Sequence, residues 1–259
     1  MTAKLAGRAG ALTIAAATTV ALAGCGGVGA KLTYDDTEKA KISAIVIDGG
    51  SGDVQVTTAA ITETHIKRIY RVSADPDESY RLEGTELHIA NKCGHNCQVS
   101  YQIEAPAGVA VRGELTSGDV TLTDVGATDV SLTSGDVMVR GATGPVKIKS
   151  TSGDITVDDA AAGVTVDATS GDVHAVNVSG PVVAKVTSGD ATVKLSAPAS
   201  VTAQTASGDL IVSVPAGSYQ LRTHKGSGEL NIGDITNDPK AKNIIDVRVG
   251  SGDLTVTPA

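Results

Sequence analysis

The chain contains no tryptophan, no phenylalanine and only five tyrosines. Without large rings there is little to fill a deep, irregular core, and the platforms on which sugar rings usually stack are missing. Basic residues are also scarce, 21 against 29 acidic ones. Nucleic acid is therefore a poor partner, because binding phosphates calls for basic patches. No apolar run reaches the roughly 20 residues of a membrane-spanning helix. The longest, about Ala9 to Ala23, follows Lys4 and Arg8 and leads into small residues and a cysteine.

That order of charge, apolar stretch and small residues reads as an export signal over residues 1–24. Its end, Leu22-Ala23-Gly24-Cys25, resembles the lipobox of bacterial lipoproteins. The resemblance implies that Cys25 carries lipid and that the protein sits on the extracytoplasmic face of a membrane. Two or more acyl chains anchor stably where one does not, so no protein helix is needed. Residues 25–41 are expected to be the lipidated cysteine and a tether, opened by the flexible Gly26-Gly27-Val28-Gly29-Ala30. Losing Lys4 and Arg8 with the leader leaves 19 basic residues against 29 acidic ones, a mature charge of about −10.

Only two other cysteines exist, Cys93 and Cys97, in NKCGHNC between two strand-like segments. An oxidising compartment and an even remainder favour a disulfide closing a hairpin tip. A metal site on Cys93, His95 and Cys97 is the alternative, although structural zinc normally takes four ligands and no second Cys/His pair lies nearby.

What the chain has in abundance is one turn. Ser-Gly-Asp occurs at Ser117, Ser134, Ser152, Ser170, Ser188 and Ser207, at intervals of 17, 18, 18, 18 and 19 residues, and again at Ser51 and Ser251. Between turns run two short alternating stretches, such as Val137 and Val139 then Val146 and Ile148, or Ile155 and Val157 then Val164 and Val166. Alternation predicts strands with one buried face. A unit of about 18 residues cannot bury that face alone, so its neighbours must stack on it, each strand pairing with its equivalent one coil later. The expected fold is all-β: a parallel β-solenoid of ~18-residue coils over 113–257, with a β-rich N-terminal cap over 42–112, where the period lapses. A propeller or sandwich fits less well, since propeller units run nearer 40 residues and sandwiches rarely keep one turn sequence. Irregular units from Ser207 and Ser227, Glu229 in place of Asp, and the insert GDITNDPKAK mark the column's far end. Lys240 and Lys242 there suit an exposed edge.

The repeated SGDV, SGDI and SGDL, with the preceding YQIEAPAGVAVRGEL, resemble the adhesin-like family of bacterial β-strand repeat domains, a family of unknown function. The resemblance spans roughly residues 42–257. It implies an architecture and supplies no catalytic residue.

The turn residues Gly118, Asp119, Gly135, Asp136, Gly153 and Asp154 are followed in the same roles by Gly171, Asp172, Gly189, Asp190, Gly208, Asp209, Gly252 and Asp253. Glycine supplies positive φ, and Asp or Ser can bond to nearby turn amides. Stacked aspartates about 4.8 Å apart repel by roughly 0.9 kcal/mol per neighbour even in bulk water, so something offsets that. Either each carboxylate accepts bonds from turn amides and neighbouring hydroxyls, or the row holds cations. The glycines are fewer and the period twice that of calcium-binding nonapeptide rolls.

Catalysis finds little support. There is no Gly-x-Ser-x-Gly elbow. His65, His88, His95, His174 and His224 are scattered and expected at solvated positions. Asp158 and Asp159 are adjacent, so they converge only if they lie in a bend. No cofactor is implied. The reading is a lipid-anchored surface protein, an adhesin-like binding or structural module without catalysis, binding envelope or cell-surface material through outward residues such as Thr121, Lys147, Thr156 and Thr165. A sensor of cationic peptides in the envelope and a glycan-active β-helix enzyme are the alternatives.

Overall fold

A computed structural model of the protein describes residues 30–72, 79–91 and 97–259. Among the described residues, twenty-three strands form two sheets of 12 and 11 strands. Each coil contributes one strand to each sheet, and equivalent strands pair in parallel. Val137 lies between Val120 and Ile155, and Val139 between Leu122 and Val157. On the other sheet Ile148 lies between Val130 and Val166. The alternating residues point inward as expected: Val139, Ile148, Ile155, Val157, Val173 and Ala175 are fully buried. This is the β-solenoid the period predicts, with a core of aliphatic columns.

All five tyrosines stand at the ends, Tyr34, Tyr70, Tyr80 and Tyr101 in the cap and Tyr219 at the far end. Where the repeat stops, the thin core needs volume, and rings supply it. In the cap, Arg68 packs against the rings of Tyr34, Tyr70 and Tyr80 at 5.3, 5.7 and 4.9 Å and pairs with Asp36 at 2.7 Å. The Tyr101 hydroxyl donates to the carbonyls of Ser79 and Ala90, and burial pushes its phenol up.

The coils do not stack in chain order at either end. The strands Ala44–Gly50 and Val54–Ala59 form a complete coil directly on the coil of Ala110–Ser117 and Val120–Thr123. Strands Glu86–Asn91 and Gln98–Pro106, later in sequence, lie outside it. At the far end the last coil, Asn243–Ser251 with Leu254–Pro258, sits between the coil of Val201–Val214 and that of Tyr219–Ile232. Sequence order predicts the reverse. Leu254 and Val256 continue the inward columns of Leu210–Val214 without exposure, whereas Leu230 and Ile232, on the outermost strand, are 40% and 38% exposed.

The irregular segments close the ends. Ala30–Glu38 and Thr64–Val72 extend the 12-stranded sheet in antiparallel fashion, and Tyr80–Glu83 extends the other. The described strand Ala30–Glu38 falls inside the segment 25–41 expected to be the lipidated cysteine and tether. The insert after Ile232 shields part of an edge: Asn237 Oδ1 accepts from the Leu221 amide at 2.9 Å, and the Asp238 amide donates to the Tyr219 carbonyl at 2.9 Å. Further along that edge Lys225, which follows Thr205 and Val249 in one inward column, turns its Nζ to the Gly228 carbonyl. An inward charge on an edge strand deters pairing with another chain.

Candidate functional site

The recurring turn builds one corner of the column. The corner glycines have φ between +112° and +137°, a region closed to other residues. They are also tightly stacked: a Cβ on Gly135, Gly153 or Gly171 would lie 2.1 to 2.2 Å from the carbonyl oxygen of the equivalent glycine one coil earlier. Only glycine fits both conditions.

In the internal coils every amide of the corner is satisfied. The Gly135 amide donates to Ser152 O at 3.1 Å and the Val137 amide to Asp154 O at 2.9 Å, both on the following coil. The intervening Asp136 amide faces the preceding coil, where it meets Asp119 Oδ1 at 3.0 Å. The same bond links Asp154 to Asp136, Asp172 to Asp154, Asp190 to Asp172, Asp209 to Asp190 and Asp253 to Asp209, at 2.7 to 2.9 Å. A carboxylate thus supplies the acceptor that the kinked backbone of the neighbouring coil cannot. The row ends consistently. Asp53 takes the Asp119 amide and gives its own to Ser100 Oγ, and the Glu229 amide closes the far end on Asp253.

Two expectations change here. The carboxylates bond to the next coil's amide and not to their own turn, and the serine hydroxyls take little part, with Ser227 to Ser251 at 3.2 Å the one bond along their row among the described residues. No cluster of three or more His, Cys, Asp or Glu suited to a metal ion occurs among the described residues. The amide bonds offset the mutual repulsion of the row, which is what the cation reading was invoked to explain.

A second corner escaped sequence reasoning. Asp124, Gly141, Asp159 and Asn177, at intervals of 17, 18 and 18 residues, all have φ between 55° and 67°. Asp and Asn are the residues besides glycine that most readily take this left-handed conformation, so a column of Asp, Gly, Asp, Asn carries the signal. Asp159 therefore does lie in a bend, but as a corner residue, and its neighbour Asp158 accepts from Asn177 Nδ2 at 3.0 Å.

Of the histidines, His65, His174 and His224 are exposed as expected, and His95 lies outside the described residues. His88 differs. Its side chain is 13% exposed, 3.2 Å from Asp48 and within 3.7 Å of Glu83 and Glu86, because the cap folds three acidic neighbours around it. Cys97 is disulfide-bonded, so it offers no thiolate for metal. Cys93 and Cys25 lie outside the described residues, as does the whole leader.

The outward side chains form long in-register rows. On the 11-stranded sheet Arg112, Asp129, Lys147, Thr165 and Val183 succeed one another, beside Glu114, Ser131, Lys149, Asp167 and Lys185. Lys147 and Asp129 pair at 3.0 Å. Open grooves of about 440 and 550 Å³ cross the faces, the larger one on the cap.

This column of stacked Ser-Gly-Asp corners is matched by one family model, over residues 20–177 and again over 109–257. The chain belongs to the Toastrack family, DUF4097. No curated protein matches it. Among solved structures, a candidate adhesin from Bacteroides fragilis is 16% identical, with 88% of this chain and 97% of that one aligned at a TM-score of 0.52. A candidate adhesin from Parabacteroides merdae (14% identity, 88% and 96% covered, TM-score 0.38) and a candidate cell adhesion protein from Clostridium sporogenes (16%, 88% and 100%, 0.30) also align. At such identity the first likeness shows the fold alone.

Proposed function

We propose that this Toastrack protein is an extracytoplasmic surface module, held to a membrane by lipid on Cys25, that binds envelope or cell-surface material without catalysis. The observation that carries the reading is the continuous register of mainly polar side chains along the outward face of the 11-stranded sheet, broken at Val183. Such a face presents the same spacing, about 4.8 Å, from coil to coil. A weak contact repeated by many molecules tethered in one plane gains strength through effective concentration. The candidate adhesin from Bacteroides fragilis, which shares this fold, supports the same reading. The acidic corner is less suited to capturing cationic peptides than its charge suggests, since one oxygen of each carboxylate is already bonded to an amide.

The test uses the full chain in its membrane. Cys25→Ala should leave an unprocessed or mislocalised precursor that no longer incorporates a palmitate analogue. Vesicles bearing the wild-type chain should retain envelope fragments in a salt-sensitive manner, and reversal of Lys147, Lys149 and Lys185 to Glu should weaken retention with the fold intact. Turnover of a glycan or peptide that a single Asp→Asn change abolishes would overturn the non-catalytic reading.

A further inference from the structure

The larger groove lies where the repeat gives way to the cap, on the outer face of the 12-stranded sheet. Its position follows from the register. Asp35 pairs with Lys67, Lys67 with Gln102 and Gln102 with Gln55, so these four side chains line up across four adjacent strands. Two residues along, Thr37, His65, Glu104 and Thr57 make a second row beside them. The result is a grid of eight polar groups spaced about 4.8 Å apart along each row, over a groove of about 550 Å³.

What distinguishes the grid is spare hydrogen-bonding capacity. Within it the described contacts comprise one bond, Thr37 Oγ1 to His65 Nδ1 at 3.3 Å. Gln55 and Gln102 stand side by side with neither carboxamide bonded to protein, although each offers two donors and an acceptor. Elsewhere in the cap Arg81, Arg112 and Arg68 hold carboxylates at 2.6 to 2.8 Å. On the repeating part of the same sheet the row of Gln55 continues as Thr121, Met138, Thr156 and His174, without carboxamides or carboxylates. The non-repeating cap has therefore placed two unbonded carboxamides beside carboxylates and a lysine on this face, a combination the row of Gln55 does not carry into the repeat.

We propose that this groove binds a neutral oligosaccharide segment of two or three sugar units. Carboxamides and carboxylates bond pairs of adjacent sugar hydroxyls, Lys67 donates to ring or hydroxyl oxygens, and the volume falls in the range of about 300–1,000 Å³ common for small-ligand sites. Asp35 and Glu104 against Lys67 leave the groove without the excess positive charge that acidic sugars demand. No Phe, Trp or Tyr side chain lines it, so recognition rests on hydrogen bonds and single contacts are weak; dense anchoring compensates. The inference rests on the proposed function and names the ligand class for one part of the surface.

The experiment is a glycan array probed with the full-length lipoprotein in detergent micelles, followed by titration with the glycan retained best. The Gln55→Ala/Gln102→Ala double variant should bind about tenfold or more weakly, with an unchanged melting temperature, because both side chains face outward. Thr156→Ala, on the repeat, should bind as wild type. Retention of no neutral glycan, or equal binding by the double variant and wild type, overturns the groove. In either of those cases a continued loss of envelope retention in the Lys147, Lys149 and Lys185 reversals leaves the surface-module reading standing, so the two failures are distinguishable.

Discussion

Replacing Asp154 separates the two roles of a corner carboxylate. Its Oδ1 accepts the Asp172 amide at 2.9 Å, and it stands between Asp136 and Asp172 in the charged row. Asparagine keeps an acceptor oxygen and removes the charge. A bond to a charged group contributes about 1.5–3 kcal/mol against about 0.5–1.5 for a neutral one, so Asp154→Asn loses about 1 kcal/mol of bonding. Repulsion from the two flanking carboxylates, about 0.9 kcal/mol each in bulk water and roughly halved at physiological salt, is relieved at the same time by a similar amount. The net change should be near zero. Asp154→Ala gains the same relief but loses the bond altogether and should be destabilised by about 1 kcal/mol. Hydrogen exchange at the Asp172 amide reads this directly: protection is retained in the Asn variant and lost in the Ala variant. Wild type should also gain more stability than Asp154→Asn when salt is raised, because it has more repulsion to screen. Equal protection of the Asp172 amide in all three proteins would refute the ladder as a device for satisfying amides.

Four further outcomes are expected. Gly171→Ala, at φ +116° with Gly153 O 2.2 Å from the added Cβ, should cost more than about 3 kcal/mol or abolish folding, whereas Gly108→Ala, at φ +82° with open space around it, should cost about 1 kcal/mol in urea melts. Val139→Asp buries an unpaired carboxylate in a fully buried column and should unfold the region, while Lys147→Asp at an exposed pair should shift the melting temperature slightly. Thr205 is fully buried with an unbonded hydroxyl, so Thr205→Val should be neutral or stabilising by up to about 1 kcal/mol. Finally, burial raises the Tyr101 phenol above its unfolded value near 10, so the folded state keeps a proton that the unfolded chain loses. Its contribution is complete below pH 10 and is lost as pH rises beyond, with a slope of about 1.4 kcal/mol per pH unit that Tyr101→Phe should remove from alkaline denaturation curves.

Much of this was written in the period. Register, inward columns and the corner glycines follow from the spacing of Ser-Gly-Asp and the alternation beside it, because a stacked coil must repeat both its buried face and its turn. Three things were harder to read. The corner bond runs between coils, and a sequence shows which groups a turn contains but not which neighbour they face. The second corner of Asp124, Gly141, Asp159 and Asn177 has a period of its own, hidden because three residue types satisfy one backbone requirement. The order of the end coils depends on which pairing leaves less apolar surface exposed, a competition between Leu254 and Leu230 for the same column over Leu210. The groove on the cap was illegible for a related reason: it joins Asp35, Lys67, Gln102 and Gln55 from segments with no shared period.

The exchange of coil order occurs at both ends and has the same effect on each. In a stacked repeat the outermost coil has one neighbour and opens most readily. If the stack followed the chain, those fraying coils would carry the chain ends. Here the coils nearest the chain ends, 44–59 and 243–258, each lie between two others, and the outermost coils, 86–106 and 219–232, are continuous with the chain on both sides. Opening an outer coil therefore frees a loop and not an end. At the N-terminal side the strand Ala30–Glu38 adds nine in-register pairs with 64–72, and that strand in turn pairs with Gln98–Pro106. In the proposed anchored protein, a pull transmitted from Cys25 meets these antiparallel pairs before it reaches any coil.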